Sequence, residues 1–327
     1  MSEAQSGPLK VVVAGAGLAG ALAARVLREK HNVAIYERNA DATDSGAATS
    51  VGPNGPAKVF NKEGKMVLSK FKNYADEYGA DWLFQHRADL RDEFLRLATA
   101  DPDASGIPGR PARVLWSSKV TSVDSENGRV FLESGGGSRG RSPADGIKSR
   151  PVCLSMVYAF DGSMRSVVMY PCRDFQLLNF VCITPDARLK NRSVESWSAS
   201  GDKEELLDIF SDFPDWVLGH LGMADRIRLW QLRDRDPLPT YARGRAVLVG
   251  DAAHAMTPRQ GQGGTQAVED ADGFRLFLRD VVSREDVPSI LQDFDSVRRP
   301  RASTIQQNTR KAMDKRTAEE VYMYEKG

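Results

Sequence analysis

Three glycines near the N-terminus have the spacing of a dinucleotide-binding turn. Gly15, Gly17 and Gly20 lie between a β-branched run at residues 10–14, typical of a buried strand, and a segment at residues 18–30 that suits a helix. The first glycine permits a tight turn, the second lets a pyrophosphate approach the backbone, and the third lets the helix pack closely on the strand. The helix N-terminus then offers N–H groups and a positive dipole end to phosphates. The pattern predicts a nucleotide-binding β–α unit.

An acidic residue closes the next predicted strand, at residues 32–37. Glu37 follows Gly15 by about 20 residues, the spacing at which a carboxylate accepts a hydrogen bond from an adenosine ribose. An acid here, rather than a basic pocket, favours a ribose without a 2′-phosphate, and so NAD or FAD. The structural alternative is a glycine-rich turn that binds no ligand. The order of the elements argues against it, because strand, glycines, helix and acidic residue follow one another at the spacing of the motif.

A second motif, near the C-terminus, distinguishes between these two cofactors. A predicted strand at residues 246–249 ends in Gly250-Asp251, and a glycine-rich loop follows at residues 261–264. The Asp can hold a chain of hydroxyl groups, and a helix N-terminus behind the loop can stabilise negative charge on a reduced ring. The alternative is a further βα crossover with a capping Asp. His254 in this segment is expected to be a packing or capping residue without a catalytic role.

Composition excludes several classes of protein. The 327 residues include 45 Lys and Arg against 44 Asp and Glu, a net charge of +1, which argues against nucleic-acid and polybasic membrane-surface proteins. Cys153, Cys172 and Cys182 form no CxxC pair, so the sequence predicts neither a disulfide framework nor a thiolate metal site. The longest apolar stretch, residues 11–24, is too short to span a bilayer. We therefore expect a cytoplasmic protein with no metal, nucleic-acid partner or membrane contact.

The middle of the chain predicts a second domain. Successive strand candidates occur there, at a spacing that suggests an antiparallel sheet: residues 155–160, 165–170, 177–184 and 194–198. A flexible low-complexity patch precedes them at residues 134–143. Helices are predicted at residues 203–212 and 215–223 and a strand at residues 227–232, and the C-terminal part reads as helical with a break at Pro300.

Together these blocks resemble the FAD-dependent aromatic hydroxylases, the p-hydroxybenzoate hydroxylase-like flavoprotein monooxygenases, and in particular their salicylate hydroxylase-like branch. The similar blocks are GAGLAG at residues 15–20, VGPN at 51–54, HRADL at 86–90, the DG segment at 144–150, the run at 230–264 and RRPRA at 298–302. The resemblance implies an α/β fold, with a Rossmann-like FAD-binding domain, an inserted antiparallel β-sheet substrate domain and a C-terminal helical segment. The implied parts are two FAD-binding segments at 1–60 and 61–150, the substrate sheet at 151–235, and a third FAD-binding segment with the C-terminal helices at 236–327.

The resemblance also implies which residues hold FAD. Gly15, Gly17 and Gly20 would bind the pyrophosphate, Glu37 the adenosine ribose and Asp251 the flavin side chain. Pro258 and the glycines of the following loop would lie beside the isoalloxazine, and the DG motif would take part in both FAD and NAD(P)H binding. The full implied set is Gly15, Gly17, Leu18, Ala19, Gly20, Glu37, Arg38, Arg87, Asp145, Asp251, Pro258, Gly261, Gly263 and Gly264.

The implied reaction is the hydroxylation of a small aromatic or electron-rich substrate. NADPH or NADH passes a hydride to FAD, the reduced flavin takes O2 to a C4a-hydroperoxide, and the electron-rich ring attacks the distal oxygen. The protein positions the reactants and excludes water, so no Ser/His/Asp set or metal cluster is required. A monomer or homodimer is expected.

The sequence departs from the family pattern in its length and around the DG motif. A Ser-Arg-Gly-Arg-Ser-Pro run stands before the DG motif, where the family has an apolar strand, and such residues cannot fill a central sheet position. The chain is also shorter than is usual for the family. These departures keep a second hypothesis open, a degenerate or truncated member that binds FAD weakly without catalysis. An ordinary NAD dehydrogenase is a third hypothesis, disfavoured because the Gly250-Asp251 motif would then have no role.

Overall fold

The computed structural model describes residues 7–41, 48–51, 57–70, 76, 83–133, 154–173, 175–189, 199–279 and 281–311. In chain order the strands are β1 (Lys10–Ala14), β2 (Asn32–Tyr36), β3 (Ala48–Val51), β4 (Ala57–Asn61), β5 (Met66–Lys70), β6 (Leu83–His86), β7 (Arg113–Leu115), β8 (Val120–Asp124), β9 (Arg129–Leu132), β10 (Leu154–Tyr158), β11 (Ser166–Cys172), β12 (Leu177–Ile183), β13 (Ala199–Ser200), β14 (Arg228–Leu229), β15 (Ala242–Arg243) and β16 (Ala246–Val247). The helices are α1 (Leu18–Leu27), α2 (Arg87–Thr99), α3 (Pro102–Ser105), α4 (Lys203–Ile209), α5 (Asp215–Gly222), α6 (Asp251–His254), α7 (Gly263–Gly273) and α8 (Val287–Lys311).

The N-terminal β–α–β unit forms as the sequence predicts. Strands β1 and β2 are parallel, with Lys10 opposite Asn32, and β7 adds a third parallel strand beside β2. Helix α1 buries a face of small and aliphatic residues, which lets it approach the sheet closely: Leu18, Gly20, Ala21, Ala23, Ala24 and Leu27. The same core receives aromatic side chains from the C-terminal part of the chain, among them Phe274 and Phe294.

A five-stranded sheet forms the second layer of structure, in the order β12-β11-β10-β4-β5. The strands predicted at residues 155–160, 165–170 and 177–184 are confirmed as β10, β11 and β12, which pair antiparallel. One further pairing, β4 with β10, is parallel, so residues 57–70, assigned from sequence to the FAD-binding segments, supply two strands to this sheet. The strand predicted at residues 194–198 lies outside the described residues.

The two faces of this sheet have different surroundings, because successive side chains of a strand point to opposite sides. Val157 and Val167 point to one side and pack against α4 and α5, where Phe210 and Val217 are fully buried. The other face borders a cleft that also reaches the glycine turn after β1. The second domain therefore presents one sheet face to the site.

Three details of the C-terminal part correct the sequence predictions. Pro300 lies inside the 25-residue helix α8 and does not end it. A proline inside a helix costs about 3 kcal/mol, but buried contacts on both sides of it, through Arg298 and Ala302, hold the helix together. The strand predicted at residues 246–249 is reduced to β16, in a hairpin with β15. The strand predicted at residues 227–232 is reduced to β14.

Among the described residues, no helix is both long enough and apolar enough to cross a bilayer; α8, with 25 residues, is long enough but too polar. The DG segment at residues 144–150, including Asp145, lies outside the described residues.

No described strand pairs with the second edge of β1, and Val12 on that strand is 40% exposed.

Candidate active site

The glycine turn after β1 has the shape that a dinucleotide requires. Gly15 adopts φ +102°, a left-handed conformation that favours glycine, and its N–H donates to the Tyr36 carbonyl at 2.8 Å. A Cβ at Gly20 would lie 2.1 Å from the Gly15 carbonyl oxygen, so only glycine fits there. A Cβ at Gly17 would meet no atom within 4 Å. The turn is therefore tight on its inner side and open on the side from which a pyrophosphate would approach.

Glu37 is bound to the same turn through its carboxylate. One carboxylate oxygen accepts from the Ala16 N–H at 2.7 Å, and the other accepts from the Asn39 N–H at 2.9 Å. The side chain is buried, yet it lines the cleft together with Arg38. Each carboxylate oxygen has a second lone pair, so Glu37 can still accept from the hydroxyl groups of a ribose.

The Gly250-Asp251 turn lies against the glycine turn. Gly250 adopts φ +58°, and a Cβ there would lie 3.0 Å from the Ala19 Cβ. Asp251 begins the short helix α6, and its exposed side chain lines the cleft. The two motifs are far apart in sequence, and the fold places them in contact across Ala19.

A buried polar network holds this turn from behind. The Gly250 N–H donates to an Asp270 carboxylate oxygen at 2.8 Å, and His254 Nε2 contacts the same oxygen at 2.7 Å. The other Asp270 oxygen accepts from Arg298 Nε at 3.0 Å. The side chains of His254 and Asp270 are essentially inaccessible to solvent. This geometry gives His254 a structural role, as the sequence predicts.

The loop after α6 is fixed at both ends. Pro258 begins a 3₁₀ turn that ends at Gly261, which adopts φ +64°. Gln260 accepts at 3.0 Å from the hydroxyl of Thr309 on α8, which ties the turn to that helix. Helix α7 follows at Gly263, and no side-chain hydrogen bond caps it. Its first N–H groups are therefore available to a ligand in the cleft.

The HRADL segment connects the two layers of structure. Arg87, the first residue of α2, lines the cleft. Asp89, one half-turn later, accepts two hydrogen bonds from Arg173 at the end of β11, at 2.6 and 2.5 Å. Burial opposes ionisation of Asp89, and the Arg173 hydrogen bonds outweigh it, so the pKa of Asp89 lies below its usual value.

A single cleft of about 3520 Å³ connects these features. Its volume exceeds the roughly 300–1,000 Å³ of a typical small-molecule pocket, so a dinucleotide and a second ligand could share it. All of the described candidate residues line it: Gly15, Gly17, Leu18, Ala19, Gly20, Glu37, Arg38, Arg87, Asp251, Pro258, Gly261, Gly263 and Gly264.

The five-stranded sheet supplies another wall of the cleft. Met156, Tyr158, Val168 and Tyr170 alternate along β10 and β11 and point to this side. Burial raises the pKa of two thiols of this sheet, that of Cys172 and that of Cys182, the latter to about 12; Cys182 lies opposite Val167 on β11 and packs on the helix side of the sheet. Both thiols are thus protonated packing groups. Within the described ranges, no cluster of His, Cys, Asp and Glu could hold a metal ion.

Comparison with known proteins identifies the chain. A family profile described as "FAD binding domain" matches residues 157–309. The FAD-dependent monooxygenase cfoG of Aspergillus candidus is 30% identical over 367 aligned residues, which cover 91% of this chain and 84% of that protein. The chain belongs to the FAD-dependent monooxygenases. The resemblance to the aromatic hydroxylase family is thereby confirmed.

Two further proteins match most of the length of this monooxygenase, one in sequence and one in fold. Hispidin-3-hydroxylase of Neonothopanus nambi is 25% identical, over 91% of this chain and 86% of that protein. A salicylate hydroxylase substrate complex superposes with a TM-score of 0.65 at 22% identity, over 94% of this chain and 88% of that one. The latter shows the common fold, and with it the predicted combination of an FAD-binding α/β layer with a second sheet.

This monooxygenase lacks internal segments that its relative has. The alignment with cfoG spans 367 positions, more than the 327 residues of the chain, so the relative has residues where this chain has none. This finding agrees with the shorter chain and the departures from the family pattern described from the sequence. The segment where the sequence shows the clearest departure, before Asp145, lies outside the described residues.

The residues of the site fit FAD. The open side of Gly17, the uncapped N-terminus of α1 and the carboxylate of Glu37 suit an adenosine diphosphate, and Asp251 is free to accept from hydroxyl groups. Sequence reasoning gave no role to Asp270, Arg298 or Arg173. The signal for Asp270 and Arg298 is a charged residue inside an otherwise packed helix, which alone does not identify a partner.

Proposed function

We propose that this monooxygenase hydroxylates a small aromatic or similarly electron-rich substrate, using NADPH or NADH and O2. The observation that carries the proposal is the single cleft, in which the glycine turn, the Asp251 turn and one face of the second sheet meet. Relatives named for the hydroxylation of hispidin and salicylate support it.

The α/β layer would hold FAD along the cleft. Gly15, Gly17 and Gly20 would receive the pyrophosphate, aided by the positive end of α1. Glu37 would accept from the adenosine ribose and Asp251 from the flavin side chain. FAD, when bound, supplies the two-electron redox chemistry that accepts a hydride and, once reduced, activates O2.

The loop before α7 would stabilise charge where the reaction occurs. Pro258 and Gly261 would lie beside the flavin ring, and Gly263 begins a helix of 11 residues whose first N–H groups have no side-chain cap. The positive dipole end of such a helix favours negative charge close to it. A proline and glycines leave the ring accessible because they present little side chain.

The sheet face would bind the substrate and exclude water. Met156 and Val168 lie opposite each other across β10 and β11, and Tyr170 continues the same face. Such a wall suits an aromatic ring, and a dry site protects a reactive oxygen species from loss to solvent. The proposed role of this chain is to position the aromatic ring of the substrate against the flavin ring.

The visible absorption spectrum of the purified protein tests the proposal. We expect a flavin spectrum, bleached by NADH or NADPH without oxygen, and faster bleaching when one member of a panel of phenols and phenolic acids is present. The variant Asp251→Asn should bind FAD at least ten-fold more weakly. Asp272→Asn is the matched control, because its side chain is 74% exposed and lies on α7 outside the cleft.

Two outcomes would assign a different function. A colourless protein that does not take up added FAD would favour the degenerate member of the family. Oxidation of NADH at the same rate with and without oxygen, in a protein without flavin, would favour a dehydrogenase. Light scattering on the same sample would test the expected monomer or homodimer.

A further inference from the structure

Two segments of the α/β layer each have an edge that is paired with no described strand. Among the described strands, β1 pairs with β2 alone in this way, and β16 pairs with β15 alone. Val12 on β1 and Leu248, the first residue after β16, are 40% and 41% exposed. Segments as apolar as these are typical of the interior of a parallel sheet, where both edges are paired and both faces are covered. The two open edges are therefore an unusual feature of this protein.

The two edges border one space. Val13 of β1 and Val249, two residues after β16, pack on the same hydrophobic core. Both segments run into the glycine turns of the site, and these turns touch, because a Cβ at Gly250 would lie 3.0 Å from the Ala19 Cβ. Both segments line the cleft, yet no described backbone hydrogen bond joins one to the other. β1 and β16 therefore run in the same direction on either side of a space, which we call the strand slot.

The end of the strand slot away from the glycine turns is cationic. The tip of the β8–β9 hairpin lies there, since the Arg245 N–H donates to the Ser125 carbonyl at 2.7 Å and the Arg284 guanidinium donates to the Asn127 carbonyl at 2.8 Å. Five basic residues line the cleft in these stretches: Lys10, Arg129, Arg243, Arg245 and Arg284. The same stretches hold three acidic residues, Asp124, Glu126 and Glu285, so positive charge is in excess at this end.

The strand slot has a defined chemical preference. An extended peptide can hydrogen-bond with both open edges at once, as when a strand is added to the edge of a sheet. Its side chains would meet apolar surface, with Phe274 and Phe277 of the core toward one face and Val12 and Leu248 on the other. A strand parallel to β1 enters with its N-terminal end at the cationic end, where acidic residues are favoured. The slot therefore favours a peptide in which acidic residues precede apolar ones.

We propose that the strand slot binds an extended segment of a partner protein, in which acidic residues precede four or five apolar ones, as a parallel strand between β1 and β16. The stretch of this chain that follows β9 does not have that composition, since residues 134–143 contain no aliphatic or aromatic residue. The partner therefore supplies the apolar strand. This interaction goes beyond the proposed function, because it requires neither FAD nor a substrate.

Three synthetic peptides test the proposal. The probe has two glutamates followed by Val-Val-Ile-Val-Val, blocked at both ends and labelled with fluorescein. In the first control peptide, lysines replace the glutamates. In the second, proline replaces the isoleucine, which removes an N–H group and is not tolerated in a central strand. Binding to the full-length protein is measured by fluorescence anisotropy without added flavin, at concentrations where sedimentation shows each peptide to be monomeric.

We expect the glutamate peptide to bind on the order of ten-fold more tightly than the lysine peptide, and the proline peptide not to bind. Charge reversal with Arg129→Glu and Arg284→Glu together should invert the preference between the first two peptides. Arg275→Glu is the matched control, since Arg275 is 72% exposed and lies outside the cleft, and it should change nothing. Thermal melting identifies any loss of fold in the double variant, and in that case Arg129→Glu alone carries the comparison, because Arg129 is exposed.

Hydrogen exchange locates the bound peptide. The amide protons of β1 and of residues 246–249 should exchange more slowly when the glutamate peptide is present, because their open edges become paired. Those of α5, on the far side of the five-stranded sheet, should exchange at an unchanged rate.

Other outcomes would overturn the proposal. The absence of saturable binding, or equal binding of all three peptides, would show that the slot does not select an extended segment. Protection confined to the five-stranded sheet would place the peptide elsewhere. Self-association that is lost when the peptide is added would assign the slot to a second copy of this chain. Tighter peptide binding after deletion of residues 319–327, where two glutamates also precede an apolar run, would assign it to that segment instead.

Discussion

The carboxylate of Asp270 accepts a hydrogen bond from the backbone N–H of Gly250 at 2.8 Å, so a side chain within α7 holds the turn that presents Asp251. The same carboxylate contacts His254 and Arg298 and is buried. The Gly250-Asp251 turn is thus held by the Asp270 carboxylate, which His254 and Arg298 fix in turn. We therefore expect a change at Asp270 to affect both the FAD affinity and the stability of the protein.

Asp270→Asn should weaken both properties. The amide carries no charge and has only one acceptor oxygen. If that oxygen keeps the contacts with Gly250 and His254, the NH2 group faces Arg298 Nε, so Arg298 loses one of its two carboxylate partners and meets a second donor. Breaking a buried pair in this way costs about 3–5 kcal/mol of unfolding free energy. We expect that loss in urea unfolding and an FAD dissociation constant raised at least ten-fold in a fluorescence titration. An unchanged FAD affinity in a destabilised protein would show that the network serves folding alone; Asp272→Asn is the control.

Gly17→Ala and Gly20→Ala should separate binding from folding. A methyl group at Gly17 meets open space, so this variant should fold with an unchanged Tm, yet bind FAD more weakly because the methyl lies where the pyrophosphate would approach. A methyl group at Gly20 meets the Gly15 carbonyl oxygen at 2.1 Å and should destabilise the protein by about 1–3 kcal/mol. Differential scanning calorimetry and FAD titration measure the two effects. Equal FAD affinity in wild type and Gly17→Ala would contradict the proposed pyrophosphate site.

Acid should destabilise the second domain through Asp212. The Arg165 guanidinium, with a side chain only 3% exposed, hydrogen-bonds Asp212 and lowers its pKa to about 2. An unfolded Asp titrates near 3.9, so this contribution to stability is complete above about pH 4 and is lost as the pH falls toward 2. Because Asp212 is 42% exposed, solvent screening reduces the effect to about 1 kcal/mol or less. Comparison of urea unfolding at pH 6 and pH 3 should show a smaller difference in Asp212→Asn than in wild type, and no such change in the exposed control Asp208→Asn.

The Asp89–Arg173 pair should couple the two layers weakly. Both side chains are partly exposed, at 30% and 43%, so a double-mutant cycle with Asp89→Asn and Arg173→Gln should give a coupling free energy of about 0.2–1 kcal/mol. Arg173→Gln should also let the pKa of Asp89 rise, because the hydrogen bonds that lower it are lost. An NMR titration of the Asp89 carboxyl carbon checks the direction. A coupling near zero would mean that the pair does not hold the layers together.

Contiguous motifs were the part of this molecule that the sequence could predict. The strand, glycines and helix around Gly15 follow one another directly, so local rules of backbone geometry suffice. Asp251 could be assigned because a strand end and a glycine loop flank it. The proposed ligands of these residues stay predictions, and Asp145 stays one without a described position.

Long-range partners could not be predicted in this way. Asp270 and Arg298 are separated by 28 residues, and only the packing of α7 on α8 brings them together. The parallel pairing of β4 with β10 joins segments almost 100 residues apart and has no local signal. Pro300 shows the opposite error, because a strong local signal for a helix end is outweighed by tertiary contacts.

Helix α8, at 1.5 Å per residue, is about 37 Å long, and it contacts the irregular segment around the site at three positions. Asp295 binds the Tyr241 N–H, Gln306 binds the Ala255 carbonyl and Thr309 binds Gln260. We therefore expect this loop, which has little secondary structure of its own, to open when the helix frays. The amide protons of residues 255–257 and 259–262 should exchange with solvent together with those of the last turns of α8, as one cooperative unit, so the C-terminal end of α8 would set how often this loop is released.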